Sequence, residues 1–216
     1  PGTLIHCDCV QALGKMPLSM RRMDLDLATV SAHKIYGPKG SGALYVRRGV
    51  RVLPRQLGGS QEKKLRPGTE AAALIVGFGT AAALAREHLE ADARRIADLN
   101  QELRCRLLAM PQVVINSPAD ALPAVLNISV PGYRSETMMH FLEERGISVS
   151  SGSACSKGAK SHVLSAMGLD PALIDSALRV SFGRYNTKED VEDFVLALRE
   201  GICTLAHRER PKSAFI

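Results

Sequence analysis

Short apolar runs dominate the first part of the chain. Residues 3–6, 25–30 and 42–46 are mostly apolar and lie between glycines or charged residues, which predicts three short strands. Because apolar residues follow one another in these runs instead of alternating with polar ones, we expect a sheet that is covered on both faces.

A helical pattern comes next along the chain. The spacing of its apolar residues predicts helix from about residue 69 to about residue 110, in two segments. The residues that recur near the helical period are Leu84, Leu89, Ile96, Leu99, Leu103 and Leu107.

Strict alternation first appears in the second half. Leu126, Ile128 and Val130 share one face of a predicted strand. Residues 178–182 alternate in the same way, and this pattern places Arg179 on the polar face of its strand.

Two helices accompany these strands. Residues 135–145 are predicted to form a helix that ends at Gly146, a typical C′ glycine. Thr187 and Asp190 have the spacing of a capping box, which predicts the start of a C-terminal helix. The apolar stripe of that helix consists of Val191, Phe194, Val195, Leu198 and Ile202.

The order of these elements indicates an α/β or α+β fold, because strands and helices interleave. The chain has 216 residues, of which 45% are hydrophobic and 23% charged, as expected for one domain or two small ones. The change of pattern predicts domains over residues 1–92 and 93–216. The longest apolar stretch, residues 71–85, is shorter than the roughly 20 residues that span a bilayer, so no membrane segment is predicted.

The charge and the cysteine content bear on the partners and the location of the protein. The net charge of +6 is spread over short clusters, and no tryptophan is present for base stacking, so the composition does not favour nucleic-acid binding. Five cysteines at irregular spacing, with no charged-then-apolar leader, predict reduced thiols in the cytoplasm.

Candidate chemistry begins directly after the second predicted strand. Ser31, His33 and Lys34 lie where open α/β sheets bind ligands. A desolvated lysine there can form a Schiff base, whereas the alternative is an ordinary solvated lysine on a turn.

The first predicted strand is followed by a second polar group. Asp8 can hold a positively charged ring nitrogen by a charge-assisted hydrogen bond. Zinc binding by His6, Cys7 and Cys9 is an alternative, but no second pair of ligands follows at a suitable spacing. The plainest interpretation of the two cysteines is a buried strand with two small thiols.

A third candidate is a cysteine in a polar loop. Glycine, serine and lysine surround Cys155 over residues 150–158, which is typical of an exposed and reactive thiol, although a plain linker fits the composition equally well. Cys105 and Cys203 lie on helix stripes and are predicted to be core residues.

The remaining candidate residues suit the binding of anions. Arg179 can bind a carboxylate in fork geometry, or is simply a surface arginine. Ser31, residues 66–69 and the start of the helix after Thr69 suit a phosphate.

Taken together, these segments resemble the cysteine desulfurases, the NifS/IscS-like branch of the class V aminotransferase family of pyridoxal-phosphate (PLP) enzymes. The resemblance covers essentially the whole chain. Its motifs are HCDCVQALGK at residues 6–15, SAHKIYGPKG at 31–40, RPGTE at 66–70, SSGSAC at 150–155 and RVSFGR at 179–184.

The resemblance implies a fold-type I PLP-dependent transferase. Residues 1–92 would be the C-terminal part of the PLP-binding large domain, a remnant of its sheet. Residues 93–216 would be the complete small α+β domain, with a mobile cysteine loop at residues 150–160. It also implies that a further part of the large domain precedes Pro1.

The resemblance assigns a role to each candidate side chain, with Lys34, Cys155 and His33 as the catalytic residues. Lys34 would bind PLP covalently, Asp8 would contact its pyridine nitrogen, and Gln11 would contact its ring hydroxyl. Ser31 and His33 would bind its phosphate, and Thr69 would contact the phosphate of the PLP bound to the other subunit of a homodimer. Cys155 would receive the transferred sulfur, and Arg179 would bind the substrate carboxylate.

The implied reaction removes sulfur from L-cysteine and yields L-alanine and a persulfide on Cys155. A sulfur-acceptor or scaffold protein would receive the sulfur for iron–sulfur clusters or thio-cofactors. The resemblance implies a cytoplasmic homodimer with no nucleic-acid partner and no membrane partner. It implies no resident metal, although Cys155 would share an iron–sulfur cluster during its transfer. The alternatives are a selenocysteine lyase, or a non-catalytic fragment that serves as a dimerisation or docking module.

Overall fold

The computed structural model describes residues 2–151 and 161–207. The chain divides into two compact units, Pro1–Ala93 and Arg94–Ile216. Strands and helices interleave along the chain. The mixed α/β class expected from the sequence is therefore confirmed.

A three-stranded sheet forms the centre of the first unit. Its strands are β1 (His6–Asp8), β2 (Leu27–Ser31) and β3 (Gly42–Val46), in the order β1-β2-β3. β1 and β2 are parallel, whereas β2 and β3 are antiparallel.

The predicted first strand lies too early in the chain. The amide of Ile5 donates to the Asp26 carboxylate at 2.8 Å, and the Ile5 carbonyl accepts from two successive amides, Asp26 and Leu27. Regular pairing with β2 therefore begins only at His6.

The expected cover on both faces of this sheet is not present at β3. Leu44 and Tyr45 point to opposite faces because side chains alternate along a strand. They are 47% and 36% exposed, so both faces of β3 are accessible within the described chain.

A single helix, α1 (Ala72–Leu108), follows, and the prediction of two segments is wrong. No proline interrupts these 37 residues, and alanine, leucine, glutamate and arginine, all strong helix formers, fill most of them. Gly77 and Gly79 each cost about 1 kcal/mol relative to alanine, which is too little to break a helix of this length.

The second unit is built on an antiparallel sheet. The order is β4 (Val114–Ile115), β5 (Val125–Ser129), β7 (Ala177–Ser181) and β6 (Ser150–Ser151). Leu126, Ile128, Leu178 and Val180 are buried, and Arg179 is exposed, so the predicted alternation is confirmed.

Four further helices belong to this unit: α2 (Ser135–Glu143), α3 (His162–Ala166), α4 (Pro171–Asp175) and α5 (Lys188–Thr204). The capping box of Thr187 and Asp190 is present at the start of α5. Gly146, with φ +75°, adopts the left-handed conformation beyond the end of α2. Within the described residues, no helix is long and apolar enough to cross a bilayer.

Cys105 and Cys203 are both exposed, so their prediction as core residues is wrong. Cys105 lies midway between the buried Leu103 and Leu107 on α1. Two residues correspond to about 200° of helical rotation, which turns the Cys105 thiol away from the core.

Candidate functional site

The ends of β1 and β2 bring the first polar groups to one edge of the sheet. The strands are parallel, with Asp8 opposite Thr29 in the register. Asp8 is the last residue of β1 and Ser31 the last residue of β2. Since the carboxyl ends of adjacent parallel strands meet at the same edge, both residues belong to the region where α/β proteins bind ligands.

A short 3-10 turn, Ala32–Ile35, presents the next two side chains to solvent. Ala32 and Ile35 are buried, and Ile35 packs against Ala81 and Ala85 of α1. This anchoring on one side leaves His33 and Lys34 exposed on the other.

Ser31 and His33 are joined by a side-chain hydrogen bond of 2.8 Å between Oγ and Nδ1. The turn ends at Tyr36, whose φ of +65° is left-handed. The amide of Gly37 then donates back to the carbonyl of Ala32 at 2.9 Å. The hydroxyl, the imidazole and the Lys34 amine therefore lie within four consecutive residues of one hydrogen-bonded turn.

Asp8 ends β1, and Gln11 lies on the turn that follows. The amide of Val10 donates to Oδ1 of Asp8 at 2.9 Å, which fixes the orientation of this exposed carboxylate. The Lys15 ammonium donates to the side-chain oxygen of Gln11. Gln11 thus retains its amide nitrogen as a donor for a ligand.

Thr69 lies on a different segment of the same unit. It is exposed and precedes the first residue of α1 by three positions. The predicted helix start directly after Thr69 is therefore displaced, and Thr69 is part of the preceding loop.

Arg179 belongs to the second unit. It lies in the middle of β7, opposite Asn127 on one side and Ser150 on the other. Its guanidinium donates to the Ser150 hydroxyl at 3.1 Å. Cys155, together with residues 152–160 of the predicted cysteine loop, lies outside the described residues.

Two features of the structure were not found from the sequence. A cavity of about 480 Å³ in the second unit is lined by apolar side chains such as Val180 and Phe194 and by charged ones such as Arg145 and Glu200. In the first unit, Cys7 packs against the buried cluster that contains Cys9. The CxC spacing was the only sequence signal for that packing.

The residues of the candidate zinc site do not assemble into a metal cluster. Across residues 2–151 and 161–207, no group of three or more histidine, cysteine, aspartate or glutamate side chains is placed to hold an ion.

Comparison with known proteins gives a consistent match. The family model described as Aminotransferase class-V matches residues 1–194. A cysteine desulfurase of Gluconacetobacter diazotrophicus is 42% identical over 205 residues, which cover 93% of this chain and 51% of that protein. A mitochondrial cysteine desulfurase of Candida albicans is 41% identical over 204 residues, covering 91% of this chain and 41% of the relative.

Solved structures agree with this match. A structure titled NifS-like protein superimposes with a TM-score of 0.86 at 38% identity and covers 94% of this chain and 53% of its own. The chain thus spans about half the length of the proteins that it matches.

Proposed function

Because the chain belongs to the class-V aminotransferase family, we propose that it forms the part of a PLP-dependent cysteine desulfurase that carries the cofactor lysine and the sulfur-accepting thiol. The observation that carries this proposal is the convergence of Asp8, Ser31, His33 and Lys34 at the ends of two adjacent parallel strands. The names of the relatives favour a desulfurase over a selenocysteine lyase.

The residues at this edge fit PLP by their chemistry. A primary amine, a carboxylate, a hydroxyl and an imidazole match the aldehyde, the pyridine nitrogen and the phosphate of the cofactor. Lys34 would bind the aldehyde carbon, Asp8 would bond the ring nitrogen, and Ser31 with His33 would bond the phosphate. Gln11 would donate its amide hydrogen to the ring hydroxyl.

When bound, PLP supplies an electron sink for the negative charge that develops when a proton leaves Cα of the substrate. Lys34 would remove that proton with its amine, because its place in the exposed turn lets it reach a substrate bound at the strand ends. The Asp8 carboxylate would retain a proton on the ring nitrogen through a charge-assisted hydrogen bond.

The second unit would supply the substrate and sulfur chemistry. The Arg179 guanidinium would pair with the carboxylate of L-cysteine in fork geometry. The Cys155 thiolate would attack the substrate sulfur, forming the S–S bond of a persulfide as the carbon–sulfur bond breaks. L-alanine would then leave, and a sulfur-acceptor or scaffold protein would take the sulfur for iron–sulfur clusters or thio-cofactors.

The assignment of domains is part of the same proposal. The first unit would be the C-terminal part of the large PLP domain, and the second unit would be the small domain. Thr69 would reach the phosphate of the other subunit in a homodimer. We place the complete protein in the cytoplasm, although the Candida albicans relative is mitochondrial.

Covalent trapping tests the central residue. The protein is incubated with PLP and reduced with borohydride, and the modified lysine is located by peptide mass spectrometry. We expect the label on Lys34, its loss in Lys34→Ala, and its retention in Lys39→Ala, which removes an exposed lysine of the same segment. A label on another lysine in the wild-type protein would contradict the proposal.

A further inference from the structure

Cys7 and Cys9 form a pair of thiols whose position the proposed reaction does not use. Cys7 lies in β1 and Cys9 directly follows its last residue, where the Cys9 amide donates to the Thr29 carbonyl at 2.9 Å and continues the pairing with β2. Residues two apart in such an extended segment point to the same face of the sheet. Both pack in one small cluster with Leu25 and Ala28. The Cys7 side chain thus packs against the cluster that contains Cys9, and Asp8 between them is exposed to solvent.

The two thiols differ in access. Cys9 is 1% exposed, whereas Cys7 is only half-buried and points its thiol towards the carbonyl oxygen of Asp8 at 3.8 Å. Burial, followed by the nearby Cys7 thiol, raises the pKa of the Cys9 thiol. Reagents in solution therefore react with Cys7 first, and Cys9 provides a second sulfur that is shielded from solvent.

The backbone permits a direct bond between the two sulfurs. Residues two apart in a strand are separated by about 6.6 Å at Cα. Disulfides join Cα atoms from about 4.4 to 6.8 Å apart, most often near 5.5–6 Å. Closure thus requires the ends of this short segment to approach by only about 1 Å.

We propose that Cys7 and Cys9 are a thiol–disulfide exchange site that accepts low-molecular-weight disulfides of the glutathione class and closes to an intramolecular disulfide. The Cys7 thiolate attacks one sulfur of the oxidant, forming a mixed disulfide and releasing one thiol. The Cys9 sulfur then attacks Cys7, loses its proton, and releases the second thiol. One dithiol is oxidised, and one external disulfide is reduced to two thiols.

An apolar setting favours this product. A disulfide carries no charge, so the cluster of Leu25 and Ala28 accommodates it without the desolvation cost of a thiolate. A bound metal would require deprotonated sulfurs and further ligands, and no third metal-ligating side chain joins this pair within the described residues.

Closure would also move Asp8, and this consequence rests on the proposed function. Asp8 connects the two cysteines, and its carboxylate accepts the Val10 amide at 2.9 Å. A shortened Cys7–Cys9 segment turns the Asp8 peptide and weakens that hydrogen bond. Oxidation would thus misplace the carboxylate that is proposed to hold the ring nitrogen of PLP.

Intact mass spectrometry tests the site. Cys105, Cys155 and Cys203 are replaced by serine, and the chain is equilibrated with oxidised and reduced glutathione. We expect both remaining thiols to disappear and the mass of the chain to fall by that of two hydrogen atoms. Reductant should reverse both changes. Cys9→Ala should instead take up one glutathione at Cys7, and Cys7→Ala should take up much less because Cys9 is buried. Two persistent thiols, or two bound glutathiones, would overturn the proposal.

Hydrogen exchange tests the link to Asp8 without the cofactor. In the disulfide form, the Val10 amide should exchange severalfold faster, while the Arg47 amide, which donates to the Asp26 carbonyl at 2.8 Å, should be unchanged. Equal exchange at Val10 in the two forms would refute the link. The mass change tests the disulfide, and lysine trapping tests the proposed function. Failure of the disulfide proposal is therefore distinguished from failure of the proposed function.

Discussion

The two units of the chain differ most in how they bury their apolar side chains. The second unit has one continuous cluster of 20 buried residues contributed by its sheet, α1, α2 and α5. The first unit has two clusters of three buried residues each. Large apolar side chains remain exposed in the first unit, among them Leu4, Ile5, Leu44, Leu53, Leu57, Ile75 and Val76.

This difference concerns function as well as stability. The first unit carries Asp8, Ser31, His33 and Lys34, and exposed apolar surface of this extent is typical of a face that contacts other protein. The proposed cofactor residues therefore lie on the unit with the smaller core and several exposed large apolar side chains, whereas the second unit has a core of its own.

Separating the units tests this comparison most severely. Residues 94–216, produced alone, should unfold in one cooperative transition, because their core is continuous. Residues 1–93 alone should show no cooperative transition. Urea titration followed by circular dichroism measures both, and a sharp transition in residues 1–93 would invalidate the comparison.

The same reasoning predicts that the 216-residue chain alone is a poor desulfurase or none. The groups proposed to hold PLP lie on the unit with little core of its own, so cofactor binding should be weak. Alanine release from L-cysteine and the absorbance of bound PLP measure this directly. Turnover comparable to that of a complete relative would contradict the prediction.

A matched pair of leucines tests the two units at single-residue level. Leu126 in β5 is fully buried, whereas Leu44 in β3 is 47% exposed. Leu126→Ala should destabilise the chain by about 2–5 kcal/mol, because it removes buried methyl groups and leaves a cavity. Leu44→Ala should change stability by no more than about 0.5 kcal/mol. Equal losses from denaturant unfolding would mean that β3 is buried in solution.

The capping box at α5 gives a smaller effect within the second unit. Thr187→Ala should cost about 1 kcal/mol, because the Asp190 amide loses its side-chain acceptor. Thr137→Ala, at an exposed position inside α2, is the matched control and should stay within about 0.5 kcal/mol. If both variants unfold at the same urea concentration, the cap contributes nothing measurable.

The smallest expected effect concerns acid sensitivity. Arg145 donates two hydrogen bonds to Glu200, at 3.0 and 2.6 Å, and this holds the pKa of the Glu200 carboxyl below its usual value. The contribution to stability is therefore present above the pKa of an unperturbed glutamate, about 4.3. It disappears as the pH falls through the lower pKa of the folded state.

Glu200→Gln should accordingly lower stability slightly near neutral pH and should not do so in strong acid. Unfolding of the two proteins across this pH range provides the measurement. A difference that persists unchanged below the folded-state pKa would show that the glutamine acts through packing instead of charge.

Much of the second unit was predictable because its signals are local. The alternation around Arg179, the glycine at 146 and the Thr187–Asp190 spacing each depend on a few neighbouring residues, and each is present in the structure. The helix over α1 was predicted, but its continuity was missed because glycines and exposed apolar residues weaken the pattern before residue 94.

Other errors have different physical origins. Cys105 was placed in the core because it was assigned to the apolar stripe of the helix, although the helical period turns it outward. The packing of Cys7 and Cys9 in one cluster depends on Leu25 and Ala28, which spacing alone does not specify. The roles of Lys34, Arg179 and Cys155 rest on the family resemblance and stay predictions.

The Ser31–His33 hydrogen bond has a consequence for the tautomer of the imidazole. When the Ser31 hydroxyl donates to Nδ1, the neutral ring must carry its proton on Nε2, which then donates outward. When Nδ1 carries the proton, Ser31 accepts, and its hydroxyl hydrogen becomes the outward donor while Nε2 presents a lone pair. In either arrangement of the neutral ring, one proton lies between the two side chains and one is offered outward. An anion at this turn would thus determine the tautomer. An accepting oxygen near Nε2 favours the first arrangement, and an accepting oxygen near the Ser31 hydroxyl favours the second.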